Sequence, residues 1–402
     1  MNINSGDKVV IKRIYQSAMS FVVIVLLFMA AMNFQAKFFY FAFGAAFVCL
    51  LGGRKIELNK FSLVYFLLGL LLALYSFSGG VKAMLRFFSC VLLYLVGYNF
   101  VSYHSNKKTA EKGYLLLVVI SLGSYSHYIM NYLLNINEEV GRNTIDIWSK
   151  EVWNATGQSA LACLMIGLSV AWLLCPKRKI MRLFSILAFV GVFLYSLILA
   201  GRTVFALIAL GFVIGFLFLL LNQKKLSDSI KLISVVLGLI LLIFVLITLN
   251  VGGIKDIIIE SNLYQRFQDS SLSDLLNTGR ASRKEYFLKN MHRHPWGGLH
   301  MRTEVGYAHD LLLDAYDEFG VFAFLLLVAI LLKGLLGLFK LCCNRSVSLC
   351  YRMAFLCIYA VVLLEFCVEP ILAGMPWLFI WYCLINGLID GINNMHRKAK
   401  FT

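Results

Sequence analysis

Residues 203–221 read TVFALIALGFVIGFLFLLL, a run without a single charged side chain. As an α-helix this run would be about 28 Å long, close to the thickness of the hydrocarbon core of a bilayer. Similar apolar runs recur along the whole chain, and spanning segments of this length are helical because lipid cannot satisfy the backbone. The sequence therefore predicts an all-α polytopic membrane protein of about 12 transmembrane helices, at residues 14–32, 38–52, 61–78, 84–103, 114–134, 155–175, 180–200, 203–221, 232–250, 310–332, 353–369 and 374–392.

The composition also indicates that lipid is the main solvent. Hydrophobic residues make up 60% of the chain and charged residues 14%, with a mean hydropathy of +0.80. A soluble domain is roughly half apolar and about a quarter charged. The formal net charge of +16 lies in short clusters between the apolar runs, not on one basic face with interleaved aromatic residues. This distribution argues against nucleic-acid binding.

The basic clusters alternate along the chain as the positive-inside rule requires. With the N-terminus in the cytoplasm, every predicted inner loop carries several lysines or arginines, such as Lys177, Arg178 and Lys179. The short predicted outer loops are much poorer in them. The pattern predicts an even number of spans and places both chain ends in the cytoplasm.

Two predicted outer segments are too long to be plain connectors. The segment near 135–154 is rich in charge, and the segment 251–308 contains helix-like stretches such as 280–291. Long connections in compact proteins are usually functional or disordered, and here we expect an ordered extracytoplasmic cap. The predicted organisation is one integrated membrane domain, with helices 1–9 at 1–250, the cap loop at 251–308, and helices 10–12 with a cytoplasmic tail at 309–402.

The second half of the predicted cap is strongly basic. Arg280, Arg283 and Lys284 would share one helical face at spacings i, i+3 and i+4, and Arg293 follows them. Such a cluster beside a membrane suits a phosphate or diphosphate, because arginine offers a planar bidentate donor. A solvated basic face, or contact with anionic lipid headgroups, is the alternative interpretation.

Two further residues at the predicted outer ends of helices carry candidate chemistry. Arg202 lies between two apolar runs, where a charge is usually paired, snorkelled to the headgroups or functional. His309 opens the span after the cap, and a neutral imidazole there suits a general base for a sugar hydroxyl. Asp310 and Asp314 follow at near-helical spacing and would orient the ring or bind hydroxyls. For His309 the alternative is a structural role such as helix capping.

Other polar residues carry weaker signals. Glu365 and Glu369 lie at the outer end of an apolar span, where a carboxylate needs a partner such as an arginine. Glu365 is therefore a candidate substrate-binding residue. The ten cysteines are scattered without paired or metal-ligand spacing, so we expect packing roles and no metal site.

Together these segments resemble the O-antigen ligase and O-antigen polymerase superfamily of bacterial envelope glycosyltransferases. The step Gly201-Arg202-Thr203 is similar to the family's arginine at a helix end. The stretch from Gly279-Arg280 to His294-Pro295-Trp296-Gly297-Gly298 resembles the family's loop arginine and its following turn. His309 and Gly320 match the spacing of a histidine and a glycine before an apolar span.

The resemblance implies a multi-pass protein of the bacterial cytoplasmic (inner) membrane with its active site on the extracytoplasmic side. It implies transfer of a glycan from an undecaprenyl diphosphate carrier to a carbohydrate acceptor, without a cofactor, a nucleotide sugar or a metal. Carried over, Arg202 and Arg280 would bind the diphosphate, and His309 would activate or position the acceptor hydroxyl. Membrane lipid, and a chain-length regulator or a flippase, are the other partners that it allows.

Three functions are compatible with the sequence. A polymerase would extend a carrier-linked repeat, whereas an O-antigen ligase would attach the glycan to lipid A-core. Ligases commonly carry Asn, Ser or Gln after the histidine, so Asp310 favours a polymerase. A transporter or flippase of polysaccharide or lipid-linked sugar is the alternative from another class, but it should carry polar sites near the bilayer midplane.

Overall fold

The computed structural model describes residues 5–51, 56–77, 80–102, 106–136, 142–222, 230, 234, 238, 245–268, 279–299 and 301–401. The described residues are 84% helical and contain one small sheet of two strands. The all-α class is therefore confirmed. The predicted ninth span, 232–250, lies largely outside the described residues.

The first half of the chain forms a helical bundle with one hairpin. Its helices are α1 (Ser5–Ala31), α2 (Phe38–Leu51), α3 (Lys60–Tyr75), α4 (Gly80–Ser102), α5 (Asn106–Asn135), α6 (Ala155–Leu174), α7 (Lys179–Leu199) and α8 (Arg202–Asn222). The antiparallel hairpin between α5 and α6 consists of β1 (Asn143–Ile145) and β2 (Val152–Asn154), with Thr144 opposite Trp153.

Short helices precede the last long ones. The segment predicted to form the cap contains α9 (Ile254–Glu260), α10 (Asn262–Gln268), α11 (Gly279–Asn290) and α12 (Arg302–Val305). The rest of the chain forms α13 (Leu311–Cys343), α14 (Leu349–Val368), α15 (Ile371–Gly374) and α16 (Pro376–Phe401). The helix predicted at 280–291 thus corresponds to α11.

Within the described residues, 7 helices are long and apolar enough to cross a membrane, and they are α4, α5, α6, α7, α8, α13 and α14. The apolar parts of α1, α2 and α3 are shorter, and α16, which covers the predicted span 374–392, is not among the seven. These helices support a membrane protein. The count of 12 spans stays a prediction.

Small residues let the central helices approach closely. Helix α6 is almost entirely buried, and a Cβ at its Gly167 would lie 2.5 Å from Ile358 Cα of α14. At the crossing of α4 and α16, a Cβ at Gly387 would collide with the backbone oxygen of Tyr94. Close backbone packing through small residues is the usual way in which helices associate in lipid, where hydrophobic burial contributes little.

The hairpin is fixed to α5 by a buried polar contact. His127 Nε2 lies 2.5 Å from Asp146 Oδ1, both side chains are fully buried, and the Ser149 amide donates to Asp146 Oδ2 at 2.7 Å. Burial alone would raise the pKa of the Asp146 carboxyl, but the hydrogen bonds from His127 and Ser149 outweigh it and hold that pKa below its ordinary value. This contact keeps the hairpin over the ends of α5 and α6.

Helix α13 is interrupted at Gly320, and the loop before α12 binds to the interruption. Gly320 has φ 83° and ψ 178°, a conformation that residues with a Cβ avoid. The Val321 amide donates to Trp296 O at 3.0 Å, and the Gly298 amide donates to Tyr316 O at 3.3 Å. The turn at 296–299 is therefore attached to α13 through main-chain groups.

Candidate active site

Glu369 lies at the centre of a polar cluster where α14 ends. The Glu369-Pro370 step stops the helix, because the residue before a proline is disfavoured in the α conformation, and Glu369 is extended with φ −134° and ψ 152°. Its carboxylate is fully buried, and Arg280 Nη2 of α11 lies 2.9 Å from Oε1 and 3.1 Å from Oε2. A buried carboxylate needs such a partner to offset its desolvation.

His309 lies beside the same carboxylate. Its Nδ1 is 3.8 Å from Glu369 Oε2, and its Nε2 is 3.2 Å from Arg283 Nη1. Because an arginine N–H can only donate, Nε2 is the acceptor in this contact, and a neutral ring then carries its proton on Nδ1. At 3.8 Å this Nδ1 is too far from Glu369 for a hydrogen bond and has no other hydrogen-bond partner in the described residues, so the carboxylate acts on the ring through its charge.

Asp314 holds the backbone on both sides of His309. The Ala308 amide donates to Asp314 Oδ1 at 2.7 Å, and the Asp310 amide donates to Oδ2 at 3.1 Å. His309 itself has φ 57°, a left-handed conformation that costs a residue with a Cβ energy and therefore needs support. Asp314 is buried and both its oxygens are engaged, so in this structure it fixes the histidine's position.

Lys284 and Asp310 attach α11 to the start of α13. Lys284 Nζ lies 3.1 Å from Asp310 Oδ2 and also donates to the backbone oxygen of Cys367. Asp310 Oδ1 caps α13 by accepting from the amides of Leu312 and Leu313 at 3.1 and 3.3 Å. An aspartate at this position satisfies amides that the helix leaves unpaired. The three cations predicted to share one face of α11 all reach the cluster.

The Gly201-Arg202-Thr203 step brings the start of α8 to the cluster. Ala200 ends α7 with φ 52°, and the Gly201 amide donates back to Ser196 O at 3.1 Å. This turn leads into α8, where Thr203 Oγ1 donates to Glu369 Oε1 at 3.4 Å. Arg202 is half-buried at the first position of α8, and the like charge of Arg142, just before the hairpin, repels it. Arg202 precedes Thr203, the residue of this step that binds Glu369.

Glu365 lies one turn before Glu369 and is fully buried. Neither of its carboxyl oxygens has a hydrogen bond of good geometry within the described part of the chain, although Ser159, Glu369 and Arg280 are near enough to act on it. The arginine expected beside one of these two carboxylates pairs with Glu369 and not with Glu365.

Arg293 does not join the cluster. It ends a short 3₁₀ helix, Met291–Arg293, and its side chain is exposed. Among the residues that the structure describes, it forms no hydrogen bond or ion pair with the cluster. Its substrate-binding role therefore stays a prediction, without support from proximity.

The central role of Glu369 was not among the sequence predictions of site residues. The available signal was a Glu-Pro step at the end of an apolar span, which fixes a carboxylate where a helix stops. In the described ranges, no group of three His, Cys, Asp or Glu residues could hold a metal ion.

No protein-family model and no curated protein matches this chain. The interpretation of the cluster therefore depends on its geometry. Cations from α11, a histidine at the start of α13 and the start of α8 meet around one buried carboxylate at one end of the bundle. Such a site can bind an anionic group and hold a neutral base beside it.

Proposed function

We propose that this protein is a metal-independent glycosyltransferase that moves a glycan from an undecaprenyl diphosphate carrier to a sugar acceptor. The reaction belongs to the assembly of a bacterial surface polysaccharide, O-antigen or capsule, on the extracytoplasmic side of the cytoplasmic membrane. The observation that carries the proposal is that Arg280 and His309 meet at Glu369, with Thr203 of the Gly201-Arg202-Thr203 step bound to the same carboxylate.

The chemistry needs a base for the acceptor and cations for the leaving group. The acceptor hydroxyl oxygen forms a bond to the anomeric carbon, and the bond between that carbon and the carrier's diphosphate oxygen breaks. The hydroxyl proton passes to His309 Nε2, and the electron pair leaves with the lipid diphosphate. Arg202 and Arg280 stabilise the negative charge that develops on the leaving group.

Arg283 links the two halves of this mechanism. In the structure the Arg283 guanidinium donates a hydrogen bond to His309 Nε2, which is the nitrogen that has to accept the proton in this mechanism. Arg283 is exposed and long enough to turn toward an anionic ligand. A bound diphosphate therefore withdraws Arg283 from the ring and exposes the base only when the donor is present.

The acceptor favoured here is a second carrier-linked repeat, which makes the enzyme a polymerase. A ligase would use lipid A-core with the same donor chemistry, so the two differ only in the acceptor. A transporter would move the lipid-linked glycan across the membrane without forming a new glycosidic bond. The clustering of cations and a histidine at one end of the bundle favours group transfer over transport, which needs a site near the midplane.

The test is a transfer assay with the purified full-length protein in liposomes. The donor is a radiolabelled glycan on undecaprenyl diphosphate, the acceptor is either a second carrier-linked repeat or lipid A-core, and a chelator is present throughout. Arg202→Ala, Arg280→Ala and His309→Ala should each abolish transfer while the protein remains folded in the membrane. Lys289→Ala is the matched control, because Lys289 lies on α11 and, among the described residues, pairs with the exposed Glu285 and not with the cluster.

The outcomes of this assay distinguish a polymerase, a ligase and a transporter. Product with the carrier-linked acceptor alone supports a polymerase, and product with lipid A-core alone supports a ligase. Full transfer by all three alanine variants rejects the proposed site. Movement of intact donor across the liposome without any glycosidic product rejects the transferase in favour of the transporter.

A further inference from the structure

Two cysteines from distant parts of the chain meet where α6 ends and α14 begins. Cys175 Sγ lies 3.1 Å from Cys350 Sγ, although the two residues are 175 positions apart. The sequence gives no sign of this contact, because its cysteines have no paired spacing. Both residues are partly exposed, so a small reagent can reach the two sulfur atoms.

The packing of α6 against α14 holds the two cysteines together. Gly167 of α6 meets Ile358 of α14 so closely that a Cβ on the glycine would lie 2.5 Å from the Ile358 Cα. Cys175 lies eight residues after Gly167, and Cys350 lies eight residues before Ile358. Both are thus about two turns from this crossing of antiparallel helices. The contact between the sulfur atoms is therefore set by the helix packing.

Positively charged side chains lie near the pair. Lys177 Nζ donates to Tyr351 Oη at 2.7 Å, which joins the segments that follow the two cysteines. The charge of Lys177 acts on Cys350, and the charge of Arg352 acts on Cys175. A cation beside a thiol favours the thiolate, and the thiolate is the form that reacts with oxidants.

The two sulfur atoms lie at opposite kinds of helix end. Cys350 is the second residue of α14, whose N-cap is Ser348, whereas Cys175 is the C-cap of α6. The helix dipole favours an anion at the N-terminus and disfavours one at the C-terminus. Cys350 is therefore better suited to attack an oxidant, and Cys175 is better suited to attack the oxidised Cys350 afterwards.

A second pair of thiols lacks the other features of the first. Cys90 of α4 and Cys383 of α16 are also in side-chain contact. Both lie in the interior of their helices and are buried, with 1% and 0% exposure. Contact between two thiols is thus common to both pairs, whereas exposure and a position at a helix end belong to Cys175 and Cys350.

We propose that Cys175 and Cys350 form a redox-active dithiol that hydrogen peroxide converts into a disulfide. The Cys350 thiolate attacks one peroxide oxygen, the O–O bond breaks, and a sulfenic acid forms on Cys350. The Cys175 sulfur then attacks the Cys350 sulfur, the S–S bond forms, and the sulfenic oxygen leaves. The two sulfur atoms lose two electrons, and the peroxide leaves as two water molecules with the two thiol protons. The sulfur atoms have to approach by about 1 Å for this bond.

The dithiol is the resting form on the predicted topology. Lys177 belongs to a predicted inner loop, so the pair faces the cytoplasm, where thiols are kept reduced and disulfides are usually transient. The disulfide then joins α6 to α14 only while an oxidant is present. Because it closes a long loop of chain, it should also stabilise the folded protein. This inference does not depend on the proposed function.

The test is mass spectrometry of the full-length protein in vesicles of phosphatidylethanolamine and phosphatidylglycerol. Hydrogen peroxide is added with dimedone, which traps sulfenic acids, and the remaining thiols are blocked with N-ethylmaleimide before digestion without a reductant. The variants are Cys175→Ser and Cys350→Ser. Cys343→Ser is the matched control, because Cys343 is an exposed cysteine at the end of α13.

We expect wild-type peptides linked through Cys175 and Cys350, which dithiothreitol separates, and the same link in Cys343→Ser. Dimedone should label Cys350 in Cys175→Ser about tenfold more than it labels Cys175 in Cys350→Ser, since only one of the two sulfur atoms lies at a helix N-terminus. Peroxide should raise the melting temperature of the wild type by several degrees and leave that of Cys175→Ser unchanged.

Three results would overturn the proposal. The first is a wild type that keeps Cys175 and Cys350 reduced at a peroxide concentration that oxidises Cys343. The second is an equal yield of the link between Cys90 and Cys383, which would show that contact alone decides. The third is a disulfide between two copies of the chain in place of the internal one. All three are read from the wild type, so they do not require the serine variants to fold.

Discussion

Replacing Glu369 with glutamine removes the negative charge at the centre of the candidate site and keeps its shape. The amide oxygen can still accept from Arg280 and Thr203, so the variant retains part of the hydrogen bonding. We expect the fold to lose about 1–2 kcal/mol, as for a weakened buried hydrogen bond. The larger effect should fall on the reaction, because His309 Nδ1 lies only 3.8 Å from this carboxylate.

The size of that effect follows from the distance. Two unit charges about 4 Å apart interact by about 4 kcal/mol at the effective dielectric of roughly 20 that describes protein sites. Arg280, at 2.9 Å from the carboxylate, neutralises part of its charge, so we expect about half of this energy to act on the imidazolium that forms in the transition state. A loss of about 2 kcal/mol lowers kcat roughly 30-fold.

The assay is glycan transfer in liposomes, with kcat and the KM for the donor measured separately. Because the proposed mechanism has the Glu369 charge act on the histidine and not on the donor, Glu369→Gln should lower kcat and change the donor KM by less than about threefold. Glu369→Asp keeps the charge and should recover part of the rate. Glu285→Gln is the control, since Glu285 is an exposed carboxylate on α11 that pairs with Lys289. A kcat for Glu369→Gln within twofold of the wild type would refute this role of the carboxylate.

Four other perturbations test separate parts of the structure. Arg280→Lys should keep the ion pair with Glu369 but raise the donor KM about tenfold, because an ammonium lacks the planar fork that binds a diphosphate; transfer kinetics measure this. Asp314→Asn should lower kcat about tenfold at an unchanged donor KM, because one of the two amides beside His309 loses its acceptor. The stability that Asp146 contributes should be complete above the ordinary carboxyl pKa of about 4 and should fall as the pH drops through the lowered folded pKa, so Asp146→Asn should melt earlier at pH 7 and lose less on acidification. Gly387→Ala should lower the melting temperature by several degrees, since overpacking costs about 1–3 kcal/mol and the added methyl would collide with the Tyr94 backbone.

Each of these has an outcome that contradicts it. For Arg280→Lys it is an unchanged donor KM, and for Asp314→Asn it is a change in KM alone. For Asp146→Asn it is an acid-side loss of stability equal to that of the wild type. Gly387→Ala is compared with Gly374→Ala, where the nearest atom to an added Cβ is 3.9 Å away, and equal melting of the two variants would contradict the packing argument.

The helices and the residues that share a helical face could be predicted from the sequence, because both depend on local pattern. The apolar runs predicted helices such as α8 and α13 because hydrophobic length alone decides whether a segment suits a bilayer. The spacing of Arg280, Arg283 and Lys284 predicted a shared helical face, and the structure has these residues on one face of α11. These features need no knowledge of which helices are neighbours.

The contacts between distant segments were not predictable in the same way. Nothing in the local pattern shows that Arg280 pairs with Glu369 instead of Glu365, because the choice depends on how the end of α14 meets α11. The role of Asp314 was also hidden, since a carboxylate near a histidine can bind a ligand or hold a loop. Only the amide directions around His309 distinguish these two roles.

The joint between the turn at 296–299 and the broken helix at Gly320 has a consequence for how large molecules arrive. A segment that opens as a lid needs weak attachments, yet the turn at 296–299 is hydrogen-bonded to α13 through amide and carbonyl groups on both sides of Gly320. On the proposed function, a bulky glycan would therefore reach the site beside this turn, without the turn moving away from α13. The Trp296 ring also stacks on Phe322 of α13, so a protein engineer who changes surface residues near this joint should keep both that ring and the glycine at 320.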